Sequence, residues 1–325
     1  MLQLLYSQIV RTRRRYYEKR PELRRRLERP VISVGNLTVG GSGKTPLVAA
    51  IARMLLADGE RPAILSRGYA RTSSSDGVVV VSDGAVIRAD VAHAGDEPYM
   101  LAKAVPGVTV VVNANRYLAG RVAESQLGCT VHLLDDGFQH LRLRRDIDLL
   151  VAPPDDFAST ATLPFGRFRE PLDAAKAADA LLVPRDQGSA PSEIGQRLKV
   201  PTVFEFARLV DGPATDQPVF AFAGIAKPDQ FFADLTRRGW RVQGHKAFPD
   251  HHPYSSADLA AIARVAHDSG AAAIVTTEKD AVRIASDVRA PGGKPLPMLV
   301  ARLEVSLDDA FHEWLRERLR KARRV

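Results

Sequence analysis

Residues Val31–Thr45 read VISVGNLTVGGSGKT, a β-branched run followed by a glycine-rich loop that ends in Gly-Lys-Thr. A short β-branched run bounded by glycine favours a buried strand, and the residues from Pro46 onward are typical of a helix. A strand, a glycine-rich loop and a helix in this order place successive backbone N–H groups around a phosphate at the start of the helix. The stretch therefore predicts a nucleotide-phosphate site.

The loop assigns a role to each of its residues. Lys44 is expected to reach the β- and γ-phosphates, and Thr45 to bind Mg²⁺. The general pattern G-x-x-x-x-G-K-[ST] has glycine where this chain has Thr38, so the neighbouring glycines must provide the flexibility. The expected nucleotide-binding residues are Thr38, Val39, Gly40, Gly41, Ser42, Gly43, Lys44 and Thr45.

Short apolar runs alternate with helical stretches through the rest of the chain. This alternation implies an α/β fold with a largely parallel sheet that is covered on both faces. A second set of such elements follows a polar stretch after Pro184, and Asp211–Pro218 is the best candidate for a hinge or ribbon turn. We expect an N-terminal helix in residues 1–29, a larger domain in 30–210, and a smaller α/β domain with a basic C-terminal helix in 211–325.

The second chemical signal is VHLLDDGFQH, Val131–His140, an apolar strand that ends in two carboxylates. Ligands bind beyond the carboxyl ends of strands in open α/β sheets, so Asp135 and Asp136 are candidates for a Mg²⁺ site. Without the phosphate loop upstream, an ordinary strand-end turn would be the better interpretation. His140 is either a residue that orients a ligand or a loop histidine.

The chain has 325 residues and a formal net charge of +8, and this charge lies at its two ends. Residues 1–29 carry +7 and residues 316–325 carry +5, which leaves −4 for the part between them. A nucleic-acid-binding protein typically has a basic core or aromatic residues among its basic ones, so this distribution disfavours nucleic acid as a partner. The basic ends instead fit a tether to an anionic bilayer.

The N-terminal segment is predicted to be an amphipathic helix. It has arginines after its apolar residues, unlike a signal peptide, and the chain has no apolar run long enough to span a membrane. A helix lying in a membrane interface and a helix that caps the protein body both fit this pattern. Cys129 is the only cysteine, which excludes an internal disulfide and favours a reducing cytoplasm. The residues on the predicted apolar side are Leu2, Leu5, Tyr6, Ile9, Val10, Tyr16 and Tyr17.

These motifs resemble those of the tetraacyldisaccharide 4′-kinases, the lipid A 4′-kinases. The resemblance extends over almost the whole chain, and the family itself carries threonine at the position of Thr38. The matching blocks are SVGNLTVGGSGKTP (33–46), LSRGYAR (65–71), GDEP (95–98), DDGFQH (135–140), GRFREPL (166–172), FAGIAKPDQFF (222–232), FPDHHPY (248–254) and TEKDAV (277–282).

The resemblance implies an ATP- and Mg²⁺-dependent kinase. Its acceptor would be the 4′-hydroxyl of an acylated glucosamine disaccharide 1-phosphate, a lipid A precursor, at the cytoplasmic face of the bacterial inner membrane. It implies a peripheral protein on an anionic membrane surface, and it points to no obligate protein partner. The implied fold is a P-loop NTPase-like α/β/α sandwich that a hinge or β-ribbon joins to the smaller α/β domain.

The resemblance also assigns site residues. It pairs Asp96 with His251, the histidine directly after Asp250, as a catalytic dyad that accepts the hydroxyl proton; His252 is the less favoured alternative. It makes Glu170 a plausible partner of Mg²⁺. The residues near substrate or phosphate would be Arg67, Tyr69, Arg116, His140 and Arg169, while Lys279 either contacts an anion or is solvated.

Two other classes of P-loop protein share the phosphate loop. A GTPase or metallochaperone-like ATPase acting on a protein partner would carry an N-K-x-D segment or a Cys/His cluster, and the sequence has neither. A soluble P-loop kinase acting on a small molecule is the nearest competitor. It would leave the amphipathic N-terminal helix without a purpose.

Overall fold

The computed structural model describes residues 1–41, 43–68, 77–185, 190–213, 215–284 and 288–324. The chain forms two compact units. The first comprises Met1–Arg208 with Val305–Val325, and the second comprises Leu209–Glu304. The chain leaves the first unit close to the boundary that we expected near residue 210.

The strands follow the apolar runs of the sequence, and most of them are buried along their whole length. This burial is typical of parallel strands covered by helices on both faces. Their bounds are β1 Val31–Gly35, β2 Pro62–Ser66, β3 Val79–Asp83, β4 Thr109–Val112, β5 Val131–Asp135, β6 Ile147–Val151, β7 Ala180–Pro184, β8 Val203–Asp211, β9 Val219–Ala223, β10 Val242–Ala247, β11 Ala273–Thr277 and β12 Met298–Leu307.

The helices lie between the strands. Several begin at a residue whose side chain accepts a backbone N–H, and α8 begins with a complete capping box. Their bounds are α1 Leu2–Glu18, α2 Lys44–Ala57, α3 Val91–Ala94, α4 Asp96–Ala104, α5 Arg116–Ser125, α6 Pro191–Leu198, α7 Pro228–Arg237, α8 Ser256–Asp268, α9 Glu278–Ala281 and α10 Asp309–Ala322.

The sheet of the first unit has the order β8-β7-β6-β1-β5-β2-β4-β3. Neighbouring strands are parallel except for β3, which pairs antiparallel with β4 at the edge. Ile32 and Val34 of β1 pack in one core with α2, and Val31 packs in another core with α5. Helices therefore cover both faces, which confirms the expected α/β fold. Because β1, β5, β2 and β4 run parallel side by side, the loops after them emerge at one edge of the sheet.

The second unit has its own parallel sheet, with the order β10-β9-β11-β12. Side chains that alternate along β9 enter two cores. Ala221 and Ala223 pack with residues of α7, whereas Phe220 and Phe222 pack with residues of α8. The predicted smaller α/β arrangement is therefore present in residues 209–304.

The C-terminal helix differs from the expectation. We expected α10 in the smaller domain, but it belongs to the first unit, where Phe311, Leu315 and Leu319 are buried in the core beside α2. Its basic side chains form ion pairs within that unit: Arg316 with Asp58, Arg318 with Asp179, and Arg323 with Glu60. Part of the charge of the basic tail is thus paired with carboxylates of the protein, and its interpretation as a membrane tether stays a prediction.

The N-terminal helix α1 buries polar side chains and exposes apolar ones. The side facing the protein includes the buried residues Ser7 and Arg14. Most of its apolar residues are left exposed instead of packing on the core, contrary to what a simple capping helix would show, while Tyr6, Val10 and Tyr17 are half-buried. The exposed apolar side chains of this region are Met1, Leu2, Leu4, Leu5, Ile9 and Tyr16. Within the described residues, no helix is long and apolar enough to cross a membrane.

Candidate active site

The predicted phosphate loop joins β1 to α2. Gly35, the last residue of β1, packs closely against Phe138. A Cβ atom at position 35 would lie 2.5 Å from Cβ of Phe138. Gly40 and Gly43 have φ values of 99° and 78°, which other residues rarely adopt. Gly43 precedes α2 and has no side chain to bond the first N–H groups of that helix, so those groups can serve an anion.

Lys44 is the first residue of α2 and points to the end of β5. Its Nζ donates to Oδ1 of Asn36 over 2.8 Å and lies 3.4 Å from Oδ1 of Asp136. Thr45 follows in the first turn of the helix, and Gly41 is exposed. Ser42 lies outside the described residues.

A polar network holds the loop at Thr38, the position that departs from the general pattern. The Thr38 hydroxyl donates to Oδ2 of Asp156 over 2.7 Å and accepts from Nδ2 of Asn36 over 2.9 Å. The backbone N–H of Val39 donates to the carbonyl of Arg167, whose guanidinium donates back to the carbonyl of Val39. These bonds fix the loop without the usual first glycine. Sequence reasoning did not find Asn36, Asp156 or Arg167.

The pKa values of the two acids at the end of β5 are shifted in opposite directions. Burial, followed by the charges of Glu97 and Asp136, raises the pKa of Asp135 to about 7. Burial alone would raise the pKa of Asp136 too, but Lys44 and Arg169 outweigh it and hold that pKa below its ordinary value. Asp136 also has a positive φ of 54°, a conformation that aspartate tolerates better than most residues. The structure therefore crowds three carboxyl groups beside the phosphate loop, and Glu97 is one that sequence reasoning missed.

Of two arginines that follow neighbouring strands, Arg116 acts on the same acids and Arg67 acts on Arg116. Arg67 directly follows β2, and Arg116 is the first residue of α5, which follows β4. Burial lowers the pKa of Arg116 to about 10, although Asp135 and Asp136 oppose that change. Burial, with the charge of Arg116 next in size, lowers the pKa of His140 to about 4, so this histidine is neutral at pH 7. Tyr69 lies outside the described residues.

Glu170 forms a buried ion pair with Arg14. Nε and Nη2 of Arg14 donate to its two carboxylate oxygens over 2.6 and 2.8 Å, and both side chains are buried. The neighbouring Arg169 donates from Nη1 to Oδ2 of Asp136. The expected role of Glu170 as a partner of Mg²⁺ stays a prediction, as do the same roles of Asp135 and Asp136. Among the described residues, no group of three or more His, Cys, Asp or Glu side chains could hold a metal ion by itself.

Asp96 lies at the start of α4 in the first unit. It follows Gly95, whose φ is 87°, and it is buried, with Oδ1 accepting the backbone N–H of Glu97 over 2.9 Å. A buried carboxylate at a helix N-terminus is stabilised in its charged form by the helix dipole. Asp96 is thus held as a buried group at the start of α4, and its role as proton acceptor stays a prediction.

His251 and His252 have distinct surroundings in the second unit. His251 has a positive φ of 61°, and its Nε2 lies 3.1 Å from Nζ of Lys279. The ring of His252 stacks on Phe248, with centroids 4.7 Å apart, and its Nε2 lies 3.2 Å from Oδ2 of Asp258. His252 is thus occupied in packing. These contacts lie within the second unit, so the pairing of His251 with Asp96 stays a prediction.

Asp280 joins the loops that surround His251, and sequence reasoning missed it. Its Oδ1 accepts from the backbone N–H of Gly224 and from the hydroxyl of Tyr254, and its Oδ2 accepts from the hydroxyl of Thr277. The side chain is completely buried, and Arg283 forms an ion pair with it. The spacing T-x-x-D, Thr277 to Asp280, could have indicated this residue, since it is typical of a helix N-cap.

Comparisons with known proteins agree with the motifs. The family model for tetraacyldisaccharide-1-P 4′-kinase matches residues 1–320. The tetraacyldisaccharide 4′-kinase of Pelobacter propionicus is 43% identical over 320 residues, covering 94% of this chain and 87% of that protein. The one from Geobacter metallireducens is 41% identical over 299 residues, or 87% of each chain.

A solved structure supports the same assignment. The crystal structure of LpxK from Aquifex aeolicus in complex with ATP has 29% sequence identity and a TM-score of 0.77, and the match covers 98% of this chain and 100% of that one. The phosphate loop, the paired acids and these similarities lead to one conclusion: the chain belongs to the tetraacyldisaccharide-1-P 4′-kinase family.

Proposed function

We propose that the protein transfers the γ-phosphoryl group of ATP to the 4′-hydroxyl of an acylated glucosamine disaccharide 1-phosphate, a step of lipid A biosynthesis. The contact between Lys44 and Asp136, 3.4 Å apart where the phosphate loop meets the end of β5, carries this proposal. P-loop enzymes use such a lysine and such an acid for phosphoryl transfer. The relatives named above are kinases of the same acceptor.

The residues around the loop suit ATP with Mg²⁺. Burial, followed by the charges of the nearby carboxyl groups, raises the pKa of Asp135, and Lys44 Nζ lies 3.4 Å from Oδ1 of Asp136. A divalent cation would offset the negative charge that gathers there, so Thr45, Asp135 and Asp136 would hold Mg²⁺ directly or through water. When bound, Mg²⁺ offsets part of the negative charge of the phosphates. Lys44 and the N–H groups at the start of α2 would hold the phosphate oxygens.

The acceptor hydroxyl needs a base, because an alcohol is a poor nucleophile at neutral pH. The buried carboxylate of Asp96 would accept the proton, and His251 would complete the dyad. The resemblance of the GDEP and FPDHHPY motifs to the family supports this pairing, and the packing of His252 favours His251 over its neighbour. Arg67, Arg116 and Arg169, with Tyr69 and the neutral His140, would bind the transferring phosphoryl group or the phosphate of the acceptor.

Helix α1 would bind the protein to a membrane surface. Leu2, Leu4, Leu5 and Ile9 are exposed on it, and arginines follow along the same helix. Exposed apolar side chains beside cations are typical of a helix that lies in the interface of an anionic bilayer. Because the acceptor is an acylated lipid, we place the protein peripherally on the cytoplasmic face of the bacterial inner membrane.

Transfer of ³²P from [γ-³²P]ATP to purified acylated disaccharide 1-phosphate in detergent, with Mg²⁺, tests the proposal. The wild type should label the lipid. Lys44→Ala and Asp96→Ala should each lower kcat by at least about 100-fold, while Lys103→Ala, which changes an exposed lysine of α4, should not. An unlabelled lipid with the wild type would refute the assignment.

A further inference from the structure

Helix α1 is held against the first unit by polar contacts. Its buried residues are Ser7 and Arg14, whereas Leu2, Leu4, Leu5 and Ile9 are exposed. The Ser7 hydroxyl lies 2.8 Å from the hydroxyl of Thr162. Hydrogen bonds depend on direction as well as distance, so contacts of this kind fix their partners more narrowly than apolar packing does. The inner side of α1 is therefore suited to orienting particular groups.

Two of these contacts reach residues 169 and 170. Arg14 binds both carboxylate oxygens of Glu170, and the exposed fractions of the two side chains are only 8% and 6%. The hydroxyl of Tyr6 donates to the carbonyl oxygen of Arg169 over 3.0 Å. A bidentate, buried arginine–carboxylate pair allows one relative orientation. Residues 169 and 170 are thus held from α1 at two points.

The same helix also holds the segment that follows the paired acids. The Arg14 guanidinium lies 4.6 Å from the ring centroid of Phe138, and Nη2 donates to the carbonyl of Phe138 over 3.4 Å. Nη1 of Arg13 donates to the carbonyl of Gln139 over 3.3 Å. Arg14 therefore contacts both Phe138, which lies two residues after Asp136, and Glu170, which lies next to the Arg169 that binds Asp136.

Arg169 connects these contacts to the reaction. Its Nη1 donates to Oδ2 of Asp136, and its backbone N–H donates to the carbonyl of Leu37 in the phosphate loop over 2.7 Å. Asp136 in turn lies beside Lys44. A shift of residues 169 and 170 would therefore move a charge that acts on the acid and the lysine of the site.

We propose that Arg14 is a positioning residue for phosphoryl transfer. Through Glu170 and Phe138 it fixes Arg169 and the 136–138 segment, so that α1 supports the active site as well as carrying the exposed apolar side chains. The inference rests on the proposed kinase function. Loss of the guanidinium leaves a buried carboxylate without its two donors, so residues 169 and 170 must rearrange. Small errors in such positioning lower the rate of the chemical step.

The test compares kcat and KM of four variants in detergent micelles, where affinity for a bilayer does not affect the rate. Arg14→Gln removes the bidentate pair, Arg14→Lys keeps the charge, and Tyr6→Phe removes only the hydroxyl that bonds Arg169. Arg121→Gln is the control, because Arg121 pairs with Glu28 and Glu124 and not with residues of these segments.

Arg14→Gln should lower kcat by at least about tenfold and Tyr6→Phe by about threefold, with KM for the lipid within about twofold of wild type. Arg14→Lys should recover part of the loss, and Arg121→Gln should match the wild type. If Arg14→Gln does not fold, the kcat of Tyr6→Phe alone tests the inference. Wild-type kcat in both Arg14→Gln and Tyr6→Phe, or a change confined to KM, would overturn the inference. An inactive wild type would instead refute the proposed function.

Discussion

The hydroxyl of Thr38 donates a 2.7 Å hydrogen bond to Oδ2 of Asp156, 118 residues further along the chain. Both side chains are buried, and the same hydroxyl accepts from Asn36, which in turn holds Lys44. The residue that breaks the general P-loop pattern is therefore the one that anchors this loop. A glycine at position 38 would give the loop more freedom and take this anchor away.

Thr38→Val should raise KM for ATP and lower the free energy of unfolding by about 1–3 kcal/mol, because Asp156 would lose its hydroxyl donor in a buried site. Thr38→Ser, which keeps the hydroxyl, is the control and should stay close to the wild type. Urea unfolding and the ATP dependence of the rate measure both effects. Equal behaviour of the valine and serine variants would contradict the role assigned to this bond.

His251→Ala should lower kcat by at least about 100-fold, as expected for loss of a group that transfers a proton. Its free energy of unfolding should change less than that of His252→Ala, which removes a ring stacked on Phe248. The change should affect the rate in detergent at saturating ATP and lipid.

His252→Ala is the matched variant, and the opposite pattern is expected. It removes a ring that stacks on Phe248 and pairs with Asp258, so it should lower the free energy of unfolding by about 1 kcal/mol. Its kcat should remain within a few-fold of the wild type. If the two variants lose kcat equally, the choice of His251 is wrong.

The stability of the protein should depend on pH through His140, whose pKa burial and nearby arginines lower to about 4. An unfolded histidine titrates near pH 6.5, so between these values the native state binds fewer protons than the unfolded state. The contribution is therefore fully present above about pH 6.5 and is lost as the pH falls toward 4, by on the order of 2 kcal/mol.

Urea unfolding of wild type and His140→Gln at pH 7.5 and pH 4.5 measures this contribution. Titrating carboxylates affect both proteins alike, so the informative quantity is the difference between the two pH dependences. The glutamine variant should lose less stability on acidification than the wild type does. Parallel losses would show that His140 takes up its proton as readily in the native state as in the unfolded one.

The exposed apolar side chains of α1 should govern binding to anionic vesicles. Leu5→Asp/Ile9→Asp places two carboxylates on that surface and should weaken sedimentation with vesicles by at least about tenfold. Leu118→Asp/Val265→Asp is the control, because it makes the same chemical change at two exposed apolar positions outside α1. Equal loss in both double variants would mean that net charge alone, rather than α1, determines binding.

The parts of this structure that could be predicted from the sequence are those whose signal is local. β6, Ile147–Val151, and β9, Val219–Ala223, have the bounds that their apolar runs indicate. The phosphate loop and the acid pair follow from strand-end residues, because parallel strands bring such residues to one edge of a sheet. β10 could not be predicted in this way. Its residues alternate between exposed and half-buried, and pairing with β9 makes it a strand.

The contacts that could not be predicted join residues far apart in the chain. Arg14 and Glu170 are separated by 156 positions, and no spacing rule links an arginine of an N-terminal helix to that carboxylate. The prediction that α10 lies in the smaller domain was wrong for the same reason. The sequence pattern of α10 shows an apolar side but does not show which sheet that side covers. The partner of Thr38 is a further example, because Asp156 lies 118 positions further along the chain.

The position of the new phosphate on the product tests the central claim most directly. The wild type, supplied with ATP, Mg²⁺ and acylated disaccharide 1-phosphate, should yield a product with one additional phosphate. In ¹H–³¹P correlation spectra that phosphorus should couple to the proton at carbon 4′ of the distal glucosamine. Phosphate on another hydroxyl, or release of inorganic phosphate without any phosphorylated lipid, would contradict the account.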